Sequence, residues 1–255
     1  MMESDFRISG KNQSLDIFPL GDIHVGSPQF NEELFELWIK TFKEDKNQKI
    51  IYMMGDEIDL ATKRLGNSAY KQDMAPNDQI DYVVKNLKPF KKYIRGIVNS
   101  NHLARASKEF DLNLPRIIAT ALDVPFKNNI YDKLIINDTK EFSVYATHGS
   151  KNSTQNHLML GAVQRQLAHI HCDLGLYAHT HKLGTITDYS VDHEGYKRKT
   201  FVLTGSFLDF EDSYAEEMCL KPQPAGFSII SVDKFLKPNV DFITSIDLER
   251  SRYYD

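Results

Sequence analysis

The sequence predicts an α/β fold: a four-layer αββα sandwich of two mixed β-sheets flanked by helices, in one domain spanning residues 1–255. Three observations predict it. Short apolar runs alternate with amphipathic helical stretches over the first two thirds of the chain. The last third holds short strand-like runs separated by turns, with no helical stretch between them. Asp, Asn or His residues stand directly after the apolar runs, at the C-terminal ends of strands, where open α/β sheets place their ligands.

In order, residues 1–13 are polar and read as a frayed or edge segment. Leu15–Leu20 is a buried strand ending at Gly21-Asp22-Ile23-His24. Asn31 caps a helix running to about Lys46. Its Leu34, Leu37, Trp38 and Phe42 share a face, with Glu32 and Glu33 at its start and Lys43 and Lys46 at its end, as the helix dipole favours. Lys49–Met54 is a second buried strand, ending at Gly55-Asp56. Residues 61–75 read as loop. Pro76 to about Phe90 is a helix with Ile80, Val83, Val84 and Leu87 in register. Tyr93–Val98 is a third strand, ending at Asn99-Ser100-Asn101-His102, and Leu114–Leu122 a shorter helix.

Lys133–Ile136 and Phe142–Ala146 read as strands joined by the turn Asn137-Asp138, the second running into Thr147-His148-Gly149. Ser153 to about Ala168 is helical, and Leu174–Ala178 is a buried strand ending at His179-Thr180-His181. Leu183–Tyr189, Thr200–Leu203, Phe227–Val232 and Val240–Ile246 complete the strands.

Composition limits the function classes. A net charge of -4 and a pI of about 6.1 argue against a sequence-independent DNA coat, which is normally basic. They leave room for an enzyme on nucleic acid, because bound cations add positive charge that the pI omits. Two cysteines, Cys172 and Cys219, form no disulfide framework, so a reducing cytoplasm is the expectation. The N-terminus shows no signal-peptide pattern, and no apolar run approaches the roughly 18 residues that span a bilayer, so no membrane partner is expected.

The chemistry lies in the strand-end stretches. Five of the nine histidines fall in them. Asp22 and His24 are two apart, so a continuing strand would aim both to one side. Asp22, His24, Asp56, Asn101, His148, His179 and His181 are too many ligands for one open metal site, and tens of residues separate the stretches, unlike a local zinc knuckle. Two ions about 3.5–4 Å apart need a bridging carboxylate, and Asp56 is the natural bridge. Oxygen and nitrogen donors without thiolate suit Mn, Fe, Zn or Ni rather than calcium.

In order and type, these stretches resemble the five motifs of the calcineurin-like metallophosphoesterases: D-x-H, G-D, G-N-H-[DE], H-G and G-H-x-H. The resemblance runs from Asp22 to His181, arguably on to Thr204-Gly205-Ser206, and is closest in kind to the compact bacterial and phage enzymes. It implies that Asp22, His24 and His181 hold one metal and Asn101, His148 and His179 the other, with Asp56 bridging. It also implies two divalent transition metals, Mn2+ first, and a metal-bridging hydroxide as nucleophile. His102 would then face the scissile phosphate and assist the leaving oxygen. Three positions depart from the pattern. Ser100 replaces a Gly and strains the turn if its φ is positive; Leu103 replaces an acid; Ala178 replaces a Gly. None removes a ligand.

The resulting expectation is a dinuclear-metal phosphodiesterase on a nucleotide or nucleic acid. Two alternatives stand beside it: a DNA nuclease in a repair or recombination complex, working as a homodimer or with a DNA-processing partner, and a catalytically silent scaffold of the same fold. Arg105, Lys151 and Lys182 follow motif residues closely and are candidates for phosphate contacts. Tyr70, His157 and Phe207 are candidates for walling a base pocket, and Tyr214–Pro224 for reaching over the site. Asp59 is expected to support the site from behind. His157, His169, His171 and His193 also read as surface or helix histidines. With no large insertion after any motif, an open cleft is expected.

Overall fold

The computed structural model describes residues 2–9, 13–60, 72–100, 111–150, 156–193, 195–217, 219 and 221–251. The elements are β1 (Met2–Phe6), β2 (Ser14–Leu20), α1 (Glu32–Glu44), β3 (Gln48–Met53), α2 (Pro76–Leu87), β4 (Ile94–Val98), α3 (Leu114–Leu122), β5 (Phe126–Lys127), β6 (Ile130–Ile136), β7 (Lys140–Thr147), α4 (Asn156–Leu167), β8 (Leu174–Tyr177), β9 (Leu183–Asp192), β10 (Gly195–Ser206), α5 (Tyr214–Glu217), β11 (Gly226–Asp233), β12 (Pro238–Thr244) and α6 (Ser245–Ser251).

Side-chain alternation builds the layers. In β2, Leu15 and Ile17 face one core while Phe18 and Leu20 face another; in β3, Ile50 and Tyr52 oppose Ile51 and Met53 in the same way. One core joins Leu15, Ile17, Ile50, Tyr52 and Val98 to Leu134, Phe142, Val144, Leu176 and Val202 of the other leaf. A second packs β2, β3 and β4 against α1, α2 and α3, and a third packs Met159, Val163 and Leu167 of α4 on Tyr177, Phe201 and Leu203. The result is helices, leaf, leaf, helix, the four-layer order the sequence predicts.

The leaves are hydrogen-bonded into one mixed sheet, ordered β1-β6-β7-β8-β10-β11-β2-β3-β4-β5, with β12 on β11 and β9 on β10. Strand β10 joins them: Thr200–Leu203 pair in parallel with β8, and Gly205 and Ser206 pair antiparallel with β11. Gly205 makes the crossing possible, because its φ is 90° and a Cβ there would sit 2.1 Å from the Gly226 carbonyl oxygen. A polar link also spans the leaves. Arg95 of β4 grips Asp132 of β6 through Nε (2.7 Å) and Nη2 (2.9 Å), and the Tyr52 hydroxyl donates to the same carboxylate at 2.9 Å.

Helix α1 begins as expected: the Asn31 side chain accepts from Leu34 N at 2.8 Å. Phe35 rather than Leu37 completes its buried face, stacking beside Trp38 and Phe42. Helix α2 stops at Leu87 and continues to Tyr93 as a tighter 3-10 turn holding Pro89. Residues 2–6 form an edge strand parallel to β6. The two-residue strand β5 has no sequence pattern of its own. Two expectations fail. The last third is not free of helix, since the single turn α5 stands between β10 and β11, and Ile246 lies in helix α6 rather than a strand. There Asp247 accepts from the Thr244 backbone N (2.9 Å) and hydroxyl (2.7 Å), which turns the chain into a helix immediately after β12.

Candidate metal centre

Strands β2 and β3 are neighbours in one leaf and β7 and β8 in the other, and the loops after them carry Asp22, Asp56, His148 and His179. The first two loops are tied together by Asp22 N to Gly55 O (2.9 Å), His24 N to Asp56 O (3.0 Å) and Val25 N to Glu57 O (3.1 Å). Asp22 accepts from His179 N through Oδ2 at 2.8 Å, which joins the β8 loop to them. The way these side chains are aimed corrects one expectation. Strand β2 ends at Leu20, so Asp22 and His24 do not share a side by strand alternation. Left-handed backbone does the aiming: φ is 48° at Asp22, 53° at His24, 53° at Asp56, 66° at His179 and 54° at His181. Such conformations cost non-glycine residues on the order of 1–2 kcal/mol each and gather at functional sites. Ser100 is not among the positive-φ residues, so the strain expected there is absent.

Two trios of donors result. Asp22, His24 and His181 bring ligand atoms within 4.8 Å of one another, and Asp56, His148 and His179 do the same. In the first, His24 Nε2 faces His181 Nε2 at 3.3 Å, and Asp22 Oδ1 lies 3.3 Å from His181 Nε2 and 3.9 Å from His24 Nε2. In the second, Asp56 Oδ2 lies 3.1 Å from His148 Nε2. The same oxygen is 4.0 Å from His24 Nε2, so one carboxylate stands between the trios. The rings are oriented from behind. His24 Nδ1 meets Asp59 Oδ1 at 3.1 Å, and His148 Nδ1 donates to the Met54 carbonyl at 2.9 Å, so both turn Nε2 inward. Gly149 is required beside His148: at φ 86° a Cβ would lie 2.1 Å from Tyr177 Cζ.

Asp22, His24, Asp56 and His148 are buried, while His179, His181 and the supporting Asp59 are partly exposed. Burial opposes ionisation of Asp22, but the imidazoles of His181 and His148 outweigh it and hold its carboxyl below the usual range. Burial disfavours charge on His148, yet the Asp56 carboxylate overrides it and raises the pKa to about 9. His24 is also raised: burial pulls it down, and the carboxylates of Asp59, Asp56 and Asp22 together more than compensate. His179 is lowered by burial and by the charge on His148. Carboxylate oxygens and imidazole Nε2 atoms converging at 3–4 Å, with no thiolate, form a donor set that fits divalent transition metals.

Asn101, His102, Arg105, Lys151 and Tyr70 lie outside the described residues. Phe207 is not at a pocket wall; it is buried against Phe35 and Phe227 in the core beneath the site. Lys182 is buried rather than a solvated surface cation. His169, His171 and His193 are exposed, as expected. Asp59 takes the supporting place expected of it. Sequence reasoning missed Glu57, fully buried behind Asp56, whose carboxyl is pushed up to about 7 by burial and the neighbouring Asp56 charge. Its only sequence signal is adjacency to Asp56.

The sequence matches no protein-family model, and no curated protein matches it. Among solved structures the chain is similar to a metallophosphoesterase from Sphaerobacter thermophilus, at 10% identity and a TM-score of 0.43, covering 94% of each chain. It is similar to a predicted phosphoesterase from Streptococcus pneumoniae, at 12% identity and a TM-score of 0.40, covering 92% of this chain and 91% of that one. A third is the zinc-complexed Vps29 of Entamoeba histolytica, at 13% identity and a TM-score of 0.34, covering 90% of this chain and 98% of the other. Likenesses this distant carry no weight for the chemistry, which is read from the two trios.

Proposed function

We propose that this protein is a two-metal phosphoesterase and that it cleaves phosphodiesters of nucleotides or nucleic acids. The observation that supports it best is Asp56 Oδ2, placed 3.1 Å from a nitrogen of one trio and 4.0 Å from a nitrogen of the other. In this reading Asp22, His24 and His181 hold one cation and His148, His179 and Asn101 the other, Asn101 following directly on the buried Ser100. Asp56 serves both. Bound there, two divalent ions, Mn2+ first among Mn, Fe, Zn and Ni, would polarise the phosphoryl group and make a water nucleophilic near neutral pH.

The protein's own contribution is placement. Asp59 and the Met54 carbonyl hold two imidazoles with Nε2 inward, and the tied loops keep the trios together. His102 is assigned to the phosphate, stabilising charge and protonating the leaving oxygen, with Arg105 and Lys151 on non-bridging oxygens. An open approach, with the His181 side chain 39% exposed, favours an extended diester over a deeply enclosed monoester. With a net charge of -4, work on duplex DNA would call for a dimer or a basic partner protein. The test is hydrolysis of bis(p-nitrophenyl) phosphate beside p-nitrophenyl phosphate after Mn2+ loading. Faster diester cleavage is expected; monoester preference refutes the diesterase reading.

A further inference from the structure

A cavity of about 320 Å³ opens beside His148, on the side of the Asp56 trio. This is near the lower end of small-ligand sites. Its walls carry four amides, Asn99, Asn128, Asn129 and Gln166, with hydroxyls such as that of Thr147, the ring of Tyr145, and the aliphatic Leu167 and Ile170. Among the described residues no Lys, Arg, Asp or Glu lines it.

Three of the four amides, those of Asn99, Asn129 and Gln166, are oriented by hydrogen bonds. Ser150 N–H donates to the Tyr177 hydroxyl (3.0 Å), which donates on to Gln166 Oε1 (3.0 Å). Gly149 N–H donates to the Thr147 hydroxyl (3.3 Å), which donates on to Asn129 Oδ1 (2.6 Å). Ser100 N–H donates to Asn99 Oδ1 (3.1 Å). In each case a backbone N–H, directly or through a hydroxyl, fixes the amide oxygen as acceptor. Three NH2 groups remain, and among the described residues none has a partner. The cavity therefore offers neutral donors, an aromatic ring and an aliphatic wall. A second phosphate would meet no cation among the described residues.

We propose that this cavity receives the nucleobase of the substrate, and that it selects bases with a carbonyl-rich edge, thymine or uracil, over adenine, whose exocyclic amine would face an NH2. The proposal rests on the phosphoesterase reading for its substrate and on the cavity for its selectivity. Each neutral hydrogen bond lost is worth roughly three- to tenfold in affinity.

Metal-loaded wild type, Gln166→Leu and Asn129→Leu are compared on the p-nitrophenyl esters of thymidine monophosphate and adenosine monophosphate and on bis(p-nitrophenyl) phosphate. These share a leaving group. The wild type is expected to prefer the thymidine ester over both others in kcat/KM, and each variant to lower that preference three- to tenfold, mainly through KM. A wild type that cleaves all three alike, or variants that keep the preference, overturns the proposal. Uridine, which carries no phosphate, is also titrated by NMR. If it binds and Gln166→Leu weakens it while no ester is cleaved, the cavity assignment stands and the phosphoesterase reading falls.

Discussion

Removing the Asp59 carboxylate should weaken one metal site and spare the other. Asp59 Oδ1 stands 3.1 Å from His24 Nδ1, and its second oxygen accepts from Gln72 Nε2 at 3.2 Å. Outer partners of this kind are worth about 10–100-fold in metal affinity, or about 1.4–2.7 kcal/mol. Two features place Asp59→Ala near the lower end. The Asp59 side chain is 23% exposed, so water can replace part of the contact. The carboxylate also raises the His24 pKa against burial, so its loss relieves some proton competition. About ten- to thirtyfold is expected for Asp59→Ala. For Asp59→Asn, which keeps an acceptor and loses the charge, about fivefold is expected. The assay is calorimetric titration of metal-free protein with Mn2+ at pH 8, with circular dichroism to confirm folding. Two dissociation constants should separate, one shifted and one within about twofold of wild type. Equal weakening of both, or of neither, refutes the division into the two trios.

Other consequences follow from the same structure. Asp132→Ala removes the carboxylate that Arg95 and the Tyr52 hydroxyl share between the leaves; breaking such a buried pair costs about 3–5 kcal/mol, read as a lower midpoint in urea. With its pKa near 9, His148 gives up a proton when a metal binds, so affinity should climb about tenfold per pH unit and flatten above pH 9. In metal-free protein that raised pKa stabilises the fold fully below about 6.5 and no longer once pH passes 9, so alkaline unfolding should come earlier without metal than with it.

Much of the molecule was legible because periodicity and residue type report burial. The strand ends that carry Asp22, Asp56, His148 and His179, the Asn31 cap, and helix Leu114–Leu122 all stand where the pattern puts them. Strand β5 and helix α6 were not legible, since one is fixed by the neighbouring β4 and the other by a local Thr244–Asp247 contact. The aiming of the site was hidden for a different reason. Nothing in Asp-x-His signals that both residues adopt positive φ, because the surrounding loops impose it against local preference. The donor cavity was equally hidden: Asn99, Asn129 and Gln166 are ordinary amides until the end of β4, the turn between β5 and β6, and α4 bring them together.

The central claim is that two cations share Asp56. Its most direct measurement is metal content after loading and dialysis, for wild type and Asp56→Asn, with diester hydrolysis read on the same samples. The account predicts two ions per wild-type chain, and at most one in the variant with hydrolysis down by at least a hundredfold. Wild type that retains one ion or none, or a variant that keeps two ions and full activity, contradicts it.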